Sequence, residues 1–169
     1  MSGLVLDIGC GKNPHPNADV TLDIKREVEP TIICDVRKLP FKDEVFDGLY
    51  CWEIVEHFGP REIHPLMTEW TRVLKHGGFI DIKTPDCWRL NIISVFTYPF
   101  MKNYHYMKTT EQSYDPGTIY DYHKTSFTRD SLKRLLREHE IGNIKFSNYK
   151  VERWKGIIAK QVHYVGRKR

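Results

Sequence analysis

The chain has 169 residues, of which 40% are hydrophobic and 28% charged, and a formal charge of +4. A chain of this length buries roughly 70% of the surface it exposes when unfolded, so a single domain over residues 1–169 is expected, with no staple needed. The composition excludes a disordered chain, the charge is too small to demand nucleic acid, and no apolar run approaches the ~20 residues of a membrane span.

Residues 4–8 form an apolar run with Asp7 embedded, stopped by Gly9. They predict a buried first strand. Residues 20–24 predict a second strand carrying Asp23, 31–36 a third reaching Asp35, and 45–52 a fourth. A helix is expected within 61–75, because Ile63, Leu66, Met67, Trp70, Val73 and Leu74 share one face. Pro65 suits its first turn, and Gly77 with Gly78 is expected to end it. Residues 79–83 predict a fifth strand. Thr128 can cap a second helix over 129–140, with Leu132, Leu135 and Leu136 as its stripe and Gly142 at its end. Two more strands are expected at 144–149 and 157–164, then a frayed basic tail, "GRKR". This alternation predicts an α/β fold with a mostly parallel sheet.

One region breaks the alternation. Residues 86–126 carry Trp88, Phe96, Tyr98, Phe100, Tyr104, Tyr106, Tyr114, Tyr120 and Tyr122. Ordered loops this long are usually functional, so the segment is expected to lie as a lid over the carboxyl ends of the strands. The cysteines, Cys10, Cys34, Cys51 and Cys87, show no CxxC or Cys/His spacing. Reduced thiols and no metal are expected. With no signal peptide expected either, the chain reads as cytoplasmic.

The stretch "LDIGCGKNP" follows the first strand. In open α/β sheets ligands bind beyond the carboxyl ends of the strands, and Gly9 and Gly11 allow close backbone approach. A Walker loop requires Ser or Thr after Lys12, where Asn13 stands. A dinucleotide fingerprint requires a third glycine where Pro14 stands, and Pro14 and Pro16 leave little helix to present to a pyrophosphate. A ligand without phosphates fits better. S-adenosylmethionine, with an ammonium and ribose hydroxyls for the acids to bind, is such a ligand.

Four motifs in order, "LDIGCG", Asp23, "CDVRKLPFKDEVFDGLYCWEIVEHF" and "EWTRVLKHGGFIDIKTPD", resemble the class I, Rossmann-like S-adenosylmethionine-dependent methyltransferases, most closely the small type-11 group. "YHKTSFTRDSLKRLLREHEIGN" continues the resemblance more weakly. The resemblance implies a seven-stranded, mostly parallel sheet whose last strand is antiparallel. The N-terminal helices would be truncated and the aromatic segment would be an insertion. It further implies that Asp7, Gly9, Cys10 and Gly11 line the methionine end of the cofactor. Asp23 would bind the ribose, Asp35 and Val36 would flank the adenine, and Cys51 and Trp52 would line the methyl end.

Methyl transfer from a sulfonium mainly needs alignment, with a base where the acceptor is a hydroxyl or amine. His123 and His57 are the candidate catalytic bases. "CWEIVEHF" lacks the [DNS]PP[YFW] box of enzymes that methylate amino groups of DNA and the Pro-Cys nucleophile of cytosine-C5 enzymes. A small molecule or glycan is therefore the expected acceptor, with the aromatic segment as its pocket. Two alternatives stay open. The first is a nucleic-acid methyltransferase or binder, using Arg153, Lys155, Lys160, Arg167, Lys168 and Arg169 with Trp154 and Tyr164 interleaved. The second is an inactive cofactor-binding subunit of a partner protein. A homodimer is one way to bury the aromatic segment.

Overall fold

The computed structural model describes residues 3–85, 124–125, 127–146, 152–154, 157–159 and 161–169. Strands β1 (Val5–Ile8), β2 (Val20–Asp23), β3 (Ile32–Ile33) and β4 (Phe46–Trp52) precede helix α1 (Ile63–Val73) and strand β5 (Leu74–Pro85). Helix α2 (Arg129–Glu138) and strands β6 (Ile141–Phe146), β7 (Glu152–Trp154), β8 (Ile157–Ala159) and β9 (Gln161–Lys168) follow. Seven strands form one sheet in the order β3-β2-β1-β4-β5-β9-β6, and β7 pairs with β8 separately. Within the seven-stranded sheet all pairings are parallel except the two that β9 makes, and β7 and β8 are antiparallel. This is the expected Rossmann-like sheet, with the last strand antiparallel.

Register sorts the side chains onto two faces, because residues paired across strands point the same way. Leu6 pairs with Leu49, and Leu49 with Ile80. On that face Leu6, Ile8, Leu22, Leu49, Cys51, Ile80, Ile82 and Val162 pack against Met67 and Trp70 of α1 and Leu132 and Leu136 of α2. The opposite face carries the row Asp7, Tyr50, Asp81 and Val165, and beside it the row Trp52, Lys83 and His163. Residues 9–19, between β1 and β2, contain no helix, as the prolines imply. No helix among the described residues is long and apolar enough to cross a membrane.

Four local expectations are corrected. Gly77 and Gly78 do not end α1: the helix stops at Val73, Leu74 turns extended and pairs with Phe46, and both glycines lie inside β5. The sheet pairing outweighs the local glycine signal. Gly142 likewise lies in β6, and the reversal after α2 is made by Glu140 in the left-handed region at φ 61°. The basic tail is not frayed. Gly166 to Lys168 belong to β9, Arg167 donates to the Gly77 carbonyl at 2.6 Å and Lys168 to the Leu74 carbonyl at 2.9 Å. The expected strand 157–164 is divided between β8 and β9. Of segment 86–126 only residues 124 and 125 are described, so the lid lies outside the described residues.

The need for Gly78 is steric. A Cβ there would stand 2.8 Å from the Lys75 carbonyl oxygen and 3.1 Å from that of Asp47, both backbone atoms. Gly78→Ala is expected to destabilise the fold by about 1–3 kcal/mol, the cost of overpacking, read from the urea midpoint. An unchanged midpoint would show that β4 and β5 separate there freely.

Candidate active site

The loop after β1 is built on glycine geometry. Gly9 and Gly11 hold φ 72° and 54°, where glycine carries no steric cost. A Cβ on Gly9 would come within 2.7 Å of the Ile54 side chain, so the loop also touches the turn after β4. The amides of Gly9 and Cys10 both donate to the Leu22 carbonyl, at 2.8 and 3.1 Å.

The buried carboxylate of Asp23 fixes the rest. One oxygen accepts from the Gly11 amide and the other from the Lys25 amide, each at 2.9 Å. Each oxygen keeps acceptor capacity for a ligand donor. Asp7, also buried, accepts from the His15 amide at 2.7 Å. Burial raises the Asp7 carboxyl above its ordinary range, partly offset by that amide. His15 stacks on Tyr50 with ring centroids 3.4 Å apart and meets Trp52 edge-on at 4.7 Å. The loop therefore folds back over the sheet face that carries Tyr50 and Trp52. Cys10 is a neutral thiol, pushed up to about 11 by burial with Asp7 and Asp23 adding to it.

Asp7, Gly9, Cys10, Gly11 and Asp23 are thus brought together at the carboxyl ends of β1 and β2. Asp35 and Val36 follow β3 alongside, where the Cys34 amide donates to the Asp23 carbonyl at 3.1 Å. Residues 13–82 match the family model of a methyltransferase domain. The whole chain superposes on a SAM-dependent methyltransferase from Thermotoga maritima with a TM-score of 0.70 and 16% identity, covering 100% of this chain and 83% of that one.

The chain has the fold of the class I methyltransferases.

A SAM-dependent methyltransferase from Archaeoglobus fulgidus aligns at a TM-score of 0.65 and 17% identity, over 97% of this chain and 85% of that one. Burkholderia thailandensis 1,6-didemethyltoxoflavin-N1-methyltransferase, solved with 1,6-didemethyltoxoflavin and S-adenosylhomocysteine, aligns at 0.60 and 15%, over 98% and 71%. No curated protein matches the chain in sequence.

The other residues expected at the site take positions their motifs did not specify. The Asp35 carboxylate is gripped by Arg37. Val36 is buried, and its carbonyl accepts from the Trp70 indole at 3.0 Å. The Cys51 thiol lies in the core, fully buried and raised well above its usual range by that burial, so only its backbone faces the strand end. The Trp52 indole lies on the opposite sheet face. It donates to Asp81 at 2.7 Å, with the Lys83 ammonium 4.4 Å above its ring. His163 meets the same Asp81 oxygen at 2.5 Å. His15, Asp81 and His163 carried no sequence signal, since register and a loop reversal bring them together.

His57 sits half-buried in the single turn Val55–His57 that follows β4. His123 lies outside the described residues. Its neighbour Lys124 donates its amide to the Glu56 carbonyl at 2.7 Å, and Thr125 follows at 3.1 Å. The Thr125 hydroxyl donates to the Phe58 carbonyl at 2.6 Å. The Glu56 side chain accepts from the Thr84 hydroxyl at 3.0 Å. Glu56 thus binds the chain on both flanks of the aromatic segment, Thr84 before it and Lys124 after it.

Burial, and then the charge of Glu53, hold the Glu56 carboxyl well above its usual range. Above about pH 4.3 the unfolded chain releases this proton while the folded chain keeps it, so the group's contribution to stability falls as pH rises. Glu56→Gln keeps an oxygen for Thr84 and removes the ionisation. Its stability relative to the parent is expected to be level near pH 4 and to improve steadily toward pH 8 in urea titrations. A gap independent of pH would mean that Glu56 ionises normally in the fold.

Proposed function

We propose that the chain is an S-adenosylmethionine-dependent methyltransferase that moves a methyl group to a hydroxyl or amine of a small molecule or glycan. The observation that carries this reading is the cradle at the carboxyl ends of β1 and β2. It presents two buried carboxylates, Asp7 and Asp23, on a glycine loop with no helix behind it. Carboxylates repel phosphates and attract an ammonium, a sulfonium or ribose hydroxyls, and without a helix there is no N-terminus to receive a pyrophosphate. The residues therefore fit S-adenosylmethionine: Asp7, Gly9, Cys10 and Gly11 for its methionine end, and Asp23 for the ribose. The bound cofactor supplies a methyl group already activated on a sulfonium. Asp23 holds the loop in its binding shape, and the Gly9 contact with Ile54 sets the loop's distance from the β4 turn.

The acceptor reading is supported by the roots of the aromatic segment. Both are tied to the turn that carries His57, the turn against which the glycine loop packs. Residues 86–126 would thus supply the acceptor's contacts, and His57 or His123 would take the proton from a hydroxyl or amine. The Burkholderia enzyme, with a small planar molecule beside S-adenosylhomocysteine, sets a precedent for such an acceptor on this fold. The nucleic-acid reading is less well supported, because Arg167 and Lys168 spend their charges on carbonyls of β5.

S-adenosylhomocysteine is expected to bind and, at one hundred times its Kd, to stabilise the protein by about 2.7 kcal/mol. Asp23→Ala is expected to weaken it about tenfold or more, the scale of hydrogen bonds to a charged group. Calorimetry checks both, and transfer of radiolabelled methyl groups to fractionated small molecules and glycans checks the reaction. Undiminished affinity in Asp23→Ala removes that residue from the site. Binding of a dinucleotide in place of S-adenosylhomocysteine would overturn the proposal.

A further inference from the structure

Arg37 follows β3 by four residues, and its guanidinium is held by two carboxylates from different parts of the chain. Its Nε donates to both oxygens of Asp35, at 3.1 and 3.0 Å, and one terminal nitrogen adds a 2.6 Å bond to the second oxygen. The other terminal nitrogen donates to Glu62 at 3.2 Å. Glu62 is itself anchored by the Gly59 amide at 2.8 Å, just before α1. All three guanidinium nitrogens are therefore engaged within the plane, and the orientation of that plane is set from two sides. The side chain is nonetheless 52% exposed. What a planar ligand can still reach is the face of the group.

The same geometry removes Asp35 from direct recognition of a base. Its first oxygen also accepts the Arg37 amide at 2.9 Å, so both oxygens are occupied by one residue. A neutral exocyclic amine does not displace a bidentate, charge-assisted guanidinium pair, which is roughly twice as strong as a neutral hydrogen bond. Those hydrogen bonds also hold the Asp35 carboxyl below its ordinary range, so the pair persists through neutral pH.

We propose that Arg37 is the platform on which the adenine of the cofactor stacks, with Asp35 and Glu62 as positioning residues that hold the guanidinium flat. This inference rests on the reading of the site as one for S-adenosylmethionine. Guanidinium groups stack on aromatic faces through dispersion and the attraction of a cation for the π system, and a lysine does not reproduce the plane. The position suits the base. Arg37 stands beside the carboxyl end of β3, next to the strand that ends in Asp23 at the ribose position.

Calorimetric titration of S-adenosylhomocysteine and of adenosine into the parent protein, Arg37→Ala and Arg37→Lys tests this. Both variants are expected to bind both ligands about two- to thirtyfold more weakly, the range of such stacking contacts. Glu62→Gln is expected to weaken binding in the parent background and to add nothing in Arg37→Ala, because it acts through the guanidinium. An additive loss in the double variant would make Glu62 merely structural and overturn its positioning role. Parental affinity in Arg37→Lys would reduce Arg37 to a charge, and parental affinity in Arg37→Ala would remove it from the site. Tighter binding in Arg37→Ala would make it a latch over Asp35. Each of these overturns the platform while leaving the cofactor reading intact. A parent protein that binds neither ligand overturns both.

Discussion

The site depends on the Asp23 carboxylate and the two backbone amides it holds. Asp23 ends β2, and its oxygens reach back to Gly11 on one side and forward to Lys25 on the other. An unpaired carboxylate buried this deeply would be costly, and an unanchored glycine loop would sample many conformations. Each problem resolves the other. The carboxylate is satisfied by the two amides, and the loop is ordered by a group whose oxygens keep acceptor capacity. Residues 9–19 contain no helix, and this tether orders the loop.

A second point of convergence is the turn after β4. Ile54 fills the space that the missing Cβ of Gly9 leaves, so the glycine loop is set against this turn by contact. Glu56 binds the chain on both flanks of the aromatic segment, by its side chain at Thr84 and by its carbonyl at Lys124 and Thr125. Burial, and then the charge of Glu53, favour the neutral form of that carboxyl. The glycine loop and the roots of the aromatic segment thus meet on one short turn.

The two sheet faces divide the labour. One is an ordinary apolar core under α1 and α2. The other is built from Asp7, Tyr50, Trp52, Asp81, Lys83 and His163, with the His15 ring laid on Tyr50. Polar groups there satisfy one another, as Asp81 does by accepting from both Trp52 and His163. Because fold does not decide reaction, these site details rather than the sheet order bear on what is bound.

From sequence alone, the order of elements, the parallel sheet, the glycine loop and the acids Asp7, Asp23 and Asp35 were legible. Each depends on local pattern: apolar runs cut by glycine, a helical stripe with a threonine cap, and acids at strand ends. Tertiary structure alone decided what long-range pairing controls. Leu74 became strand instead of helix because Phe46 was there to pair with it. The basic C-terminus became the closing part of β9 because carbonyls of β5 lay within its reach. Cys51 and Trp52, adjacent in sequence, went to opposite faces because strand side chains alternate, so the thiol entered the core and the indole the polar face. Arg37 gave no signal as an isolated residue in a loop. Its importance appeared only when folding brought Glu62, twenty-five positions away, to the far side of its guanidinium.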